Sequence, residues 1–500
     1  MSRPRTLVIG VDGATLSLIE PLARAGYLPT LEIVMAGGIR GPLRAWPSMN
    51  SEAGWSAVIT GCNPGKHGIY GLVTSTQRRY QLQLATAADR SKDPFWRLLS
   101  AAGLQVGVVN VPLTYPADPV NGFMLSGMHT PHIRSPGFSH PPGLVDELRH
   151  QGIGYTIGLP NLPDLCYRDP QRALREVQRM VDARSRAVLY LMRTRPWDVL
   201  LAVFTATDVL QHFFWPDEHA PVEGDEWAPL RTVYRQIDSF LDDATNLIDE
   251  NTTLLVVSDH GFGPAHPARQ CLNQLFEQLG LLSYHERRKR QRGLGLRTLL
   301  SHGRQLAPYQ IQMRLARALP RLHGRALHES RYSRIDWSQT VAYAGRYGSK
   351  IRVNLEGREA EGVVSAEDYD TTRESVRDIL LNLTNPATGR RLVQAVHCSE
   401  DVYHGPYAAK AADLLVEWQD EAVGDALCYS VDGEPIIVRA AEDSSARRVI
   451  GGHGQEGIMI GWGPGIRRGE TVEGARTYDI APTILYLENQ PIPSDMDGDV

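Results

Sequence analysis

Four short segments of this chain carry carboxylates and imidazoles in positions where they can converge. They are Val8-Ile9-Gly10-Val11-Asp12, Thr207-Asp208 with His212 four positions after the Asp, Ser258-Asp259-His260-Gly261, and Gly452-His453-Gly454. A fifth segment, Ser51-Glu52-Ala53-Gly54-Trp55, offers a hydroxyl. Mixed Asp and His sets suit zinc, which takes imidazole nitrogen and carboxylate oxygen and keeps one position open in catalytic sites. Two divalent ions a few ångströms apart can grip the attacking and leaving oxygens of a phosphoryl transfer, with an activated hydroxyl as nucleophile. Each segment alone has a plainer use: Asp12 as a helix cap, Asp208 with His212 as a surface pair, His453 as part of a glycine loop. In this order the segments complete one another, and metal-assisted phosphoryl transfer is the chemistry they suggest.

The elements that must position them are legible as well. Residues 6–11, 105–111, 198–205 and 252–258 are continuous apolar runs. Runs of that kind are strands buried on both faces, as in a parallel sheet covered by helices. Between them, 169–193 and 230–250 show helical periodicity with charged faces, which predicts an α/β sandwich. Ligands in such folds gather beyond the carboxyl ends of the strands, where Asp12, Asp208 and Asp259 are expected. Asp208 and His212 share one face of a helix that begins after its strand. Asp259 and His260 need a turn, helped by Gly261, to reach one ion. After Pro267 the texture changes: 285–335 is basic and helical, and 336–440 mixes short strands, turns and a charged helix over 366–383. A strand at 457–461 and a helix at 479–487 resume the core pattern. The expected organisation is a core of residues 1–270 and 441–500, interrupted by an inserted cap over 271–440.

Five hundred residues with 42% hydrophobic content allow one large core, or a core plus an insertion. A formal net charge of -5 gives no general argument for nucleic acid, whose binders carry a basic excess. The charge is uneven, with thirteen Lys or Arg against two Glu over residues 286–334. Basic residues 287–292 followed by Leu294, Leu296, Leu299 and Leu300 could lie on an anionic membrane surface; a solvated face of the cap is the preferred reading. Five scattered cysteines without a CxxC pair point to a reducing compartment. The chain enters its first apolar strand without room for a signal peptide, and it has no 18-residue apolar run for a membrane span. A cytoplasmic protein acting on a small phosphorylated substrate is the expectation.

Further segments extend the pattern: Trp55-Ser56, Thr60-Gly61, Asn63-Pro64-Gly65-Lys66-His67-Gly68, Asn110 with Pro112 and Tyr115-Pro116, and Asn354-Leu355 with Gly357-Arg358. Asp479-Ile480-Ala481-Pro482-Thr483 and Asp495-Met496-Asp497-Gly498 close it. With these the chain resembles the alkaline phosphatase superfamily through most of its length. It is most similar to the branch of type I phosphodiesterases and nucleotide pyrophosphatases and the related phosphohydrolases and phosphomutases. The resemblance implies a three-layer α/β sandwich with an inserted cap domain. It implies one metal held by Asp208, His212 and His453, and a second held by Asp12, Asp259 and His260 with the nucleophile's oxygen beside it. Relatives place a Thr or Ser four residues before the Trp, which is Ser51 here; Ser48 is the rival hydroxyl of that segment. Ser51 would attack phosphorus to give a phosphoserine that water then hydrolyses. Two divalent ions are implied, zinc with manganese as the alternative.

The chain also departs from that pattern. Many relatives carry a proline after the nucleophile, whose loss here loosens the following loop. Glu52 brings a carboxylate next to the phosphate site; facing it, Glu52 would repel a dianionic monoester more than a diester. Nucleotide pyrophosphatases also place a phosphate-binding Asn further along, whereas Ile69-Tyr70-Gly71-Leu72 has none. Lys66, Asn110, Arg346 and Arg358 are the candidate substrate contacts, and His266 a candidate support for Asp259 and His260. The leading expectation is a hydrolase of phosphate esters that prefers diesters or nucleotide conjugates over monoesters. The alternative is a phosphomutase, which needs a closed cap to exclude water. A non-catalytic binding protein on the same fold ranks last, since all six ligand positions and the hydroxyl are present.

Overall fold

The architecture comes from a computed structural model, which describes every residue except 1–2, 48, 77–79, 160–161, 218–219, 286–331, 333, 346, 420–423 and 441–448. The basic segment 286–334 and Arg346 therefore lie outside the described residues, almost wholly and wholly, and so does Ser48.

Nine strands form one central sheet. In chain order they are β1 (Arg5–Val11), β2 (Ile39–Arg44), β3 (Val106–Val109), β4 (Gly122–Leu125), β5 (Ser139–His140), β6 (Val199–Phe204), β7 (Thr252–Val257), β8 (Glu456–Trp462) and β9 (Glu470–Thr471). Across the sheet the order is β9-β2-β8-β7-β1-β6-β3-β4-β5. The apolar runs read as parallel strands are parallel: β1 pairs with both β6 and β7, and β3 with β6. The sheet as a whole is mixed, because β8 runs antiparallel to β7 and to β2. Apolar continuity reports burial on both faces but carries no information on direction, and so the antiparallel flank was not foreseen.

Alternate residues of each strand feed two cores. Leu7, Ile9, Leu200, Ala202, Phe204, Leu254 and Val256 face one side. There they pack under the helices α2 (Pro170–Thr194) and α4 (Ala228–Thr245), which present Val177, Val188, Val233 and Ile237. Val8, Val199, Leu201, Val203, Leu255 and Val257 face the other side. They meet Trp55, Val58 and Ile59 of α1 (Ser51–Thr60) and Ile480 and Ile484 of α5 (Ile480–Leu487). This period-two division makes the three-layer α/β sandwich.

A separate hydrophobic cluster is drawn from Ala268 to Ala440, with Leu272, Phe276, Trp337, Ile351, Val376 and Leu414 among its members. Around it lies a four-stranded antiparallel sheet, in the order Ala342–Ala344, Lys350–Val353, Leu414–Trp418, Val393–Cys398. Tyr80 reaches into this cluster from the core sequence and stacks on Trp337 at 3.8 Å. No described helix is long and apolar enough to cross a membrane, and all five cysteines are free.

Candidate active site

Three adjacent strands end where the carboxylates begin. Asp12 follows β1 directly, its amide hydrogen-bonded to the Phe204 carbonyl at the end of β6. Asp259 comes two residues after β7. Asp208 lies in the first turn of α3 (Ala206–Phe214), the helix that follows β6, with His212 one turn on. The first two are strand-end residues as expected; Asp208 is carried by the helix. His453 is not in a loop. It sits in the short strand Gly451–Gly454, paired antiparallel with Gly261–Pro264 so that His453 faces Phe262. Ser51 is the first residue of α1, behind an Asn50 cap that accepts from the Ala53 amide. The segment after Ser51 is thus a buried helix, and the missing proline leaves no loose loop behind it.

These elements bring the six ligand-type side chains into two groups, Asp208, His212 and His453 in one and Asp12, Asp259 and His260 in the other. Within each group the ligand atoms lie within 4.8 Å of one another. In the first, His453 Nε2 is 3.2 Å from His212 Nε2 and 3.1 Å from Asp208 Oδ1. In the second, His260 Nε2 is 3.5 Å from both Asp12 Oδ1 and Asp259 Oδ2. The Ser51 hydroxyl joins that group, donating to Asp12 Oδ1 at 3.2 Å with His260 Nε2 also at 3.2 Å. The groups adjoin: His260 Nε2 is 4.0 Å from Asp208 Oδ1, and the His260 and His453 rings stack at 3.9 Å.

The three histidines share one more feature. Each has Nδ1 against a backbone carbonyl: His212 on Gly451 at 3.0 Å, His260 on Gly261 at 2.9 Å, His453 on Met49 at 3.2 Å. A carbonyl only accepts, so Nδ1 must carry the hydrogen, and the Nε2 lone pair is turned toward the carboxylates. Such backbone anchoring of the outer nitrogen is the usual support of a metal-bound imidazole. Both oxygens of Asp259 are buried without a hydrogen-bond partner among the described residues. Burial, then the facing carboxylates, hold Asp12 and Asp259 well above the usual carboxylate range. Burial would lift Asp208 too, but the imidazoles of His212, His453 and His260 outweigh it and hold it low. Burial and His453 push His260 down to about 3. Inward lone pairs facing crowded carboxylates, those of Asp259 without a donor, fit a pair of divalent cations.

Neighbours fix this geometry. Trp55 donates from Nε1 to Asp12 Oδ2 at 3.0 Å, while its ring covers Gly10, where a Cβ would meet it at 2.3 Å. Thr207 donates to the Asp12 carbonyl and Gln211 to the Gly13 carbonyl, fastening α3 to the end of β1. A Cβ on Gly54 would lie 2.9 Å from Asp259 Cβ, so glycine is what lets α1 approach Asp259. Glu52 neither faces solvent nor stands as a bare charge: it is buried, with Oε1 2.6 Å from His129 Nε2. Burial pushes its carboxyl up, but the His129 hydrogen bond and charge outweigh that and leave it below the ordinary value. Lys350 has its ammonium on the Tyr70 carbonyl at 2.7 Å; burial lowers it to about 8 against the pull of Glu52.

Not every sequence candidate gathers here. Lys66 is held by Asp497, which also takes the Asn63 amide and His404, so Lys66 serves an anchor between distant segments. Arg358 makes a two-pronged contact with Asp413. Asn110, in the left-handed region at φ +64°, donates to the Val203 carbonyl and supports the turn after β3. His266 is buried just after the Gly261–Pro264 strand. Sequence reasoning passed over Trp55 as a support for Asp12, and over His129 and Lys350. For Trp55 its place one turn after the hydroxyl was a usable signal; for the other two, nothing local marks them.

The sandwich with its ligand groups at the strand ends is that of the alkaline phosphatase superfamily. Within it, the profile of the type I phosphodiesterase/nucleotide pyrophosphatase family matches residues 6–455, and the chain belongs to that family. It is thereby a phosphoric ester hydrolase of the metal-dependent kind. No curated protein matches it in sequence. Among solved structures, phosphonoacetate hydrolase from Sinorhizobium meliloti in complex with phosphonoformate is similar at TM-score 0.58 and 14% identity, over 97% of this chain and 96% of that one. Murine ectonucleotide pyrophosphatase/phosphodiesterase 5 in complex with AMP is similar at TM-score 0.52 and 11% identity, over 99% and 98%. The human form gives 0.52 and 15%, over 99% and 97%. At these identities the likeness is one of fold.

Proposed function

We propose that this enzyme cleaves phosphate esters with two divalent ions and a phosphoserine formed on Ser51, favouring diesters or nucleotide conjugates over monoesters. The observation that carries the reading is the convergence of three inward Nε2 lone pairs and three carboxylates beside the Ser51 hydroxyl. Asp208, His212 and His453 would hold one ion, and Asp12, Asp259 and His260 the other. Zinc, with manganese as the alternative, would supply charge for the phosphoryl oxygens and acidity for the Ser51 hydroxyl. Asp12 Oδ1 orients that hydroxyl by accepting its hydrogen. Ser51 Oγ bonds to phosphorus as the leaving oxygen departs, and water then cleaves the phosphoserine and restores the hydroxyl. Residues 271–440 act as the cap that selects the substrate, a small phosphorylated molecule. Five free cysteines favour a cytoplasmic setting.

The test is turnover of nitrophenyl phosphate and bis-nitrophenyl phosphate with zinc or manganese added, by wild type and Ser51→Ala. Metal-dependent turnover, faster on the diester and cut at least about a thousandfold by the substitution, is the expected result. Equal rates from Ser51→Ala would overturn the nucleophile. A phosphomutase is the second reading, supported by the insertion's Lys350 reaching the Tyr70 turn beside α1. Phosphate retained on an isomeric product, without release, would identify it.

A further inference from the structure

The ribbon that carries His453 has an uncommon composition. Gly261–Pro264 pairs with Gly451–Gly454, and five of these eight residues are glycine. Glycine weakens a strand and marks a place where another group approaches closely. The two ring side chains that remain, Phe262 and His453, stand directly opposite each other in the register and so share one face of the ribbon.

The buried Phe262 ring reaches three of the ligand imidazoles. It meets His212 edge to face with centroids 4.8 Å apart, and lies 5.5 Å from His453 and 6.4 Å from His260. Trp215, the residue after α3, stacks on it at 5.6 Å. The ring also abuts backbone that serves both ligand groups. A Cβ on Gly13, next to Asp12, would come within 3.0 Å of Phe262 Cδ2. One on Gly451, whose carbonyl anchors His212, would come within 2.8 Å of Phe262 Cε1. A hydrogen bond at Nδ1 fixes one atom of an imidazole and leaves the ring free to pivot about it. His212 and His453 are both pinned in that way, and the apolar ring they share is Phe262. Packed aromatic rings prefer particular tilts and spacings, so such a neighbour sets direction as well as distance.

We propose that Phe262 is a positioning residue of the metal centre. Wedged between Gly13 and Gly451, it aims the Nε2 atoms of His212 and His453 and so raises the affinity of the Asp208, His212 and His453 group for its ion. The inference rests on the two-ion reading given above. It assigns Phe262 to that group because the two nearer imidazoles belong to it. The plainer role is that of a residue that only fills the main core cluster.

The test is calorimetric titration of the metal-free protein with zinc, for wild type, Phe262→Leu and Phe262→Ala. Wild type is expected to bind two ions. One dissociation constant should rise about tenfold in Phe262→Leu and by up to about a hundredfold in Phe262→Ala, the range for loss of a metal ligand's support. The other should shift several times less. Phe262→Leu keeps an apolar side chain in the core and carries the test if Phe262→Ala does not fold. In His212→Ala, where the first group is already broken, adding Phe262→Leu should leave the remaining constant nearly unchanged. Wild-type constants for both ions in Phe262→Leu, beside a lowered melting temperature, would show that Phe262 only fills the core. Equal weakening of both ions would show a general loosening, and either result overturns the proposal. A wild type that binds fewer than two ions would defeat the two-ion reading itself, and this proposal with it.

Discussion

At the scale of single residues, the site is set by which atom of each side chain is left free. His212, His260 and His453 spend Nδ1 on backbone carbonyls, so their Nε2 atoms are the ones available to a cation. Trp55 plays the same part for Asp12, taking Oδ2 and leaving Oδ1 to the Ser51 hydroxyl. Trp55→Phe deletes that hydrogen bond and also withdraws the outer indole carbons that cover Gly10. Turnover of bis-nitrophenyl phosphate should then fall about tenfold or more, as when the support of a metal ligand is removed, and the melting temperature should fall with it because a cavity opens over Gly10. Unaltered turnover would mean that packing alone orients Asp12.

At the scale of elements, α1 must come close to the turn after β7 so that Ser51 and Asp259 serve one centre. Gly54 permits that approach, with space for hydrogen but not for a methyl group beside Asp259. In an exposed helix Gly→Ala gains up to about 1 kcal/mol. At position 54 the sign should reverse: Gly54→Ala is expected to cost about 1–3 kcal/mol through overpacking and to lower turnover by displacing Asp259. Denaturant unfolding checks the first effect and steady-state kinetics the second; a stabilised, fully active variant would refute the close-approach argument. The strand and helix pattern behind this geometry was legible. Residues 6–11, 198–205 and 252–258 became β1, β6 and β7 almost to the residue, and 169–193 became α2. The strand expected at 457–461 is β8, but its antiparallel direction was not legible, nor was the strand bearing His453, since pairing partners lie far away in sequence.

At the scale of the whole molecule, the last helix ties back onto the first strand. Glu488, at the end of α5, accepts from the Thr6 hydroxyl at 2.7 Å. Burial raises its carboxyl from 4.5 to about 7. A folded-state pKa above the unfolded one means that the protonated form is favoured by folding. The stability from this group is complete below pH 4.5 and is lost as pH rises through about 7. Glu488→Gln keeps an acceptor for Thr6 and never ionises. Its melting temperature relative to wild type should therefore rise between pH 5 and pH 8, by about 2 °C, in scanning calorimetry. A difference that is the same at both pH values would show that Glu488 does not titrate in this range.

The sequence by itself marked six Asp and His residues, a serine hydroxyl and the alternation of strands and helices. Those features depend on residue type and on periods of two and 3.6, which are local. It identified the same six Asp and His residues that the folded chain draws into two groups. Tertiary structure alone decided the fate of the isolated cations. Lys66 pairs with Asp497 and Arg358 with Asp413, while Lys350 reaches a turn 280 residues away. A long flexible side chain is directed by whichever charge the fold brings within reach, and that depends on contacts no local pattern encodes.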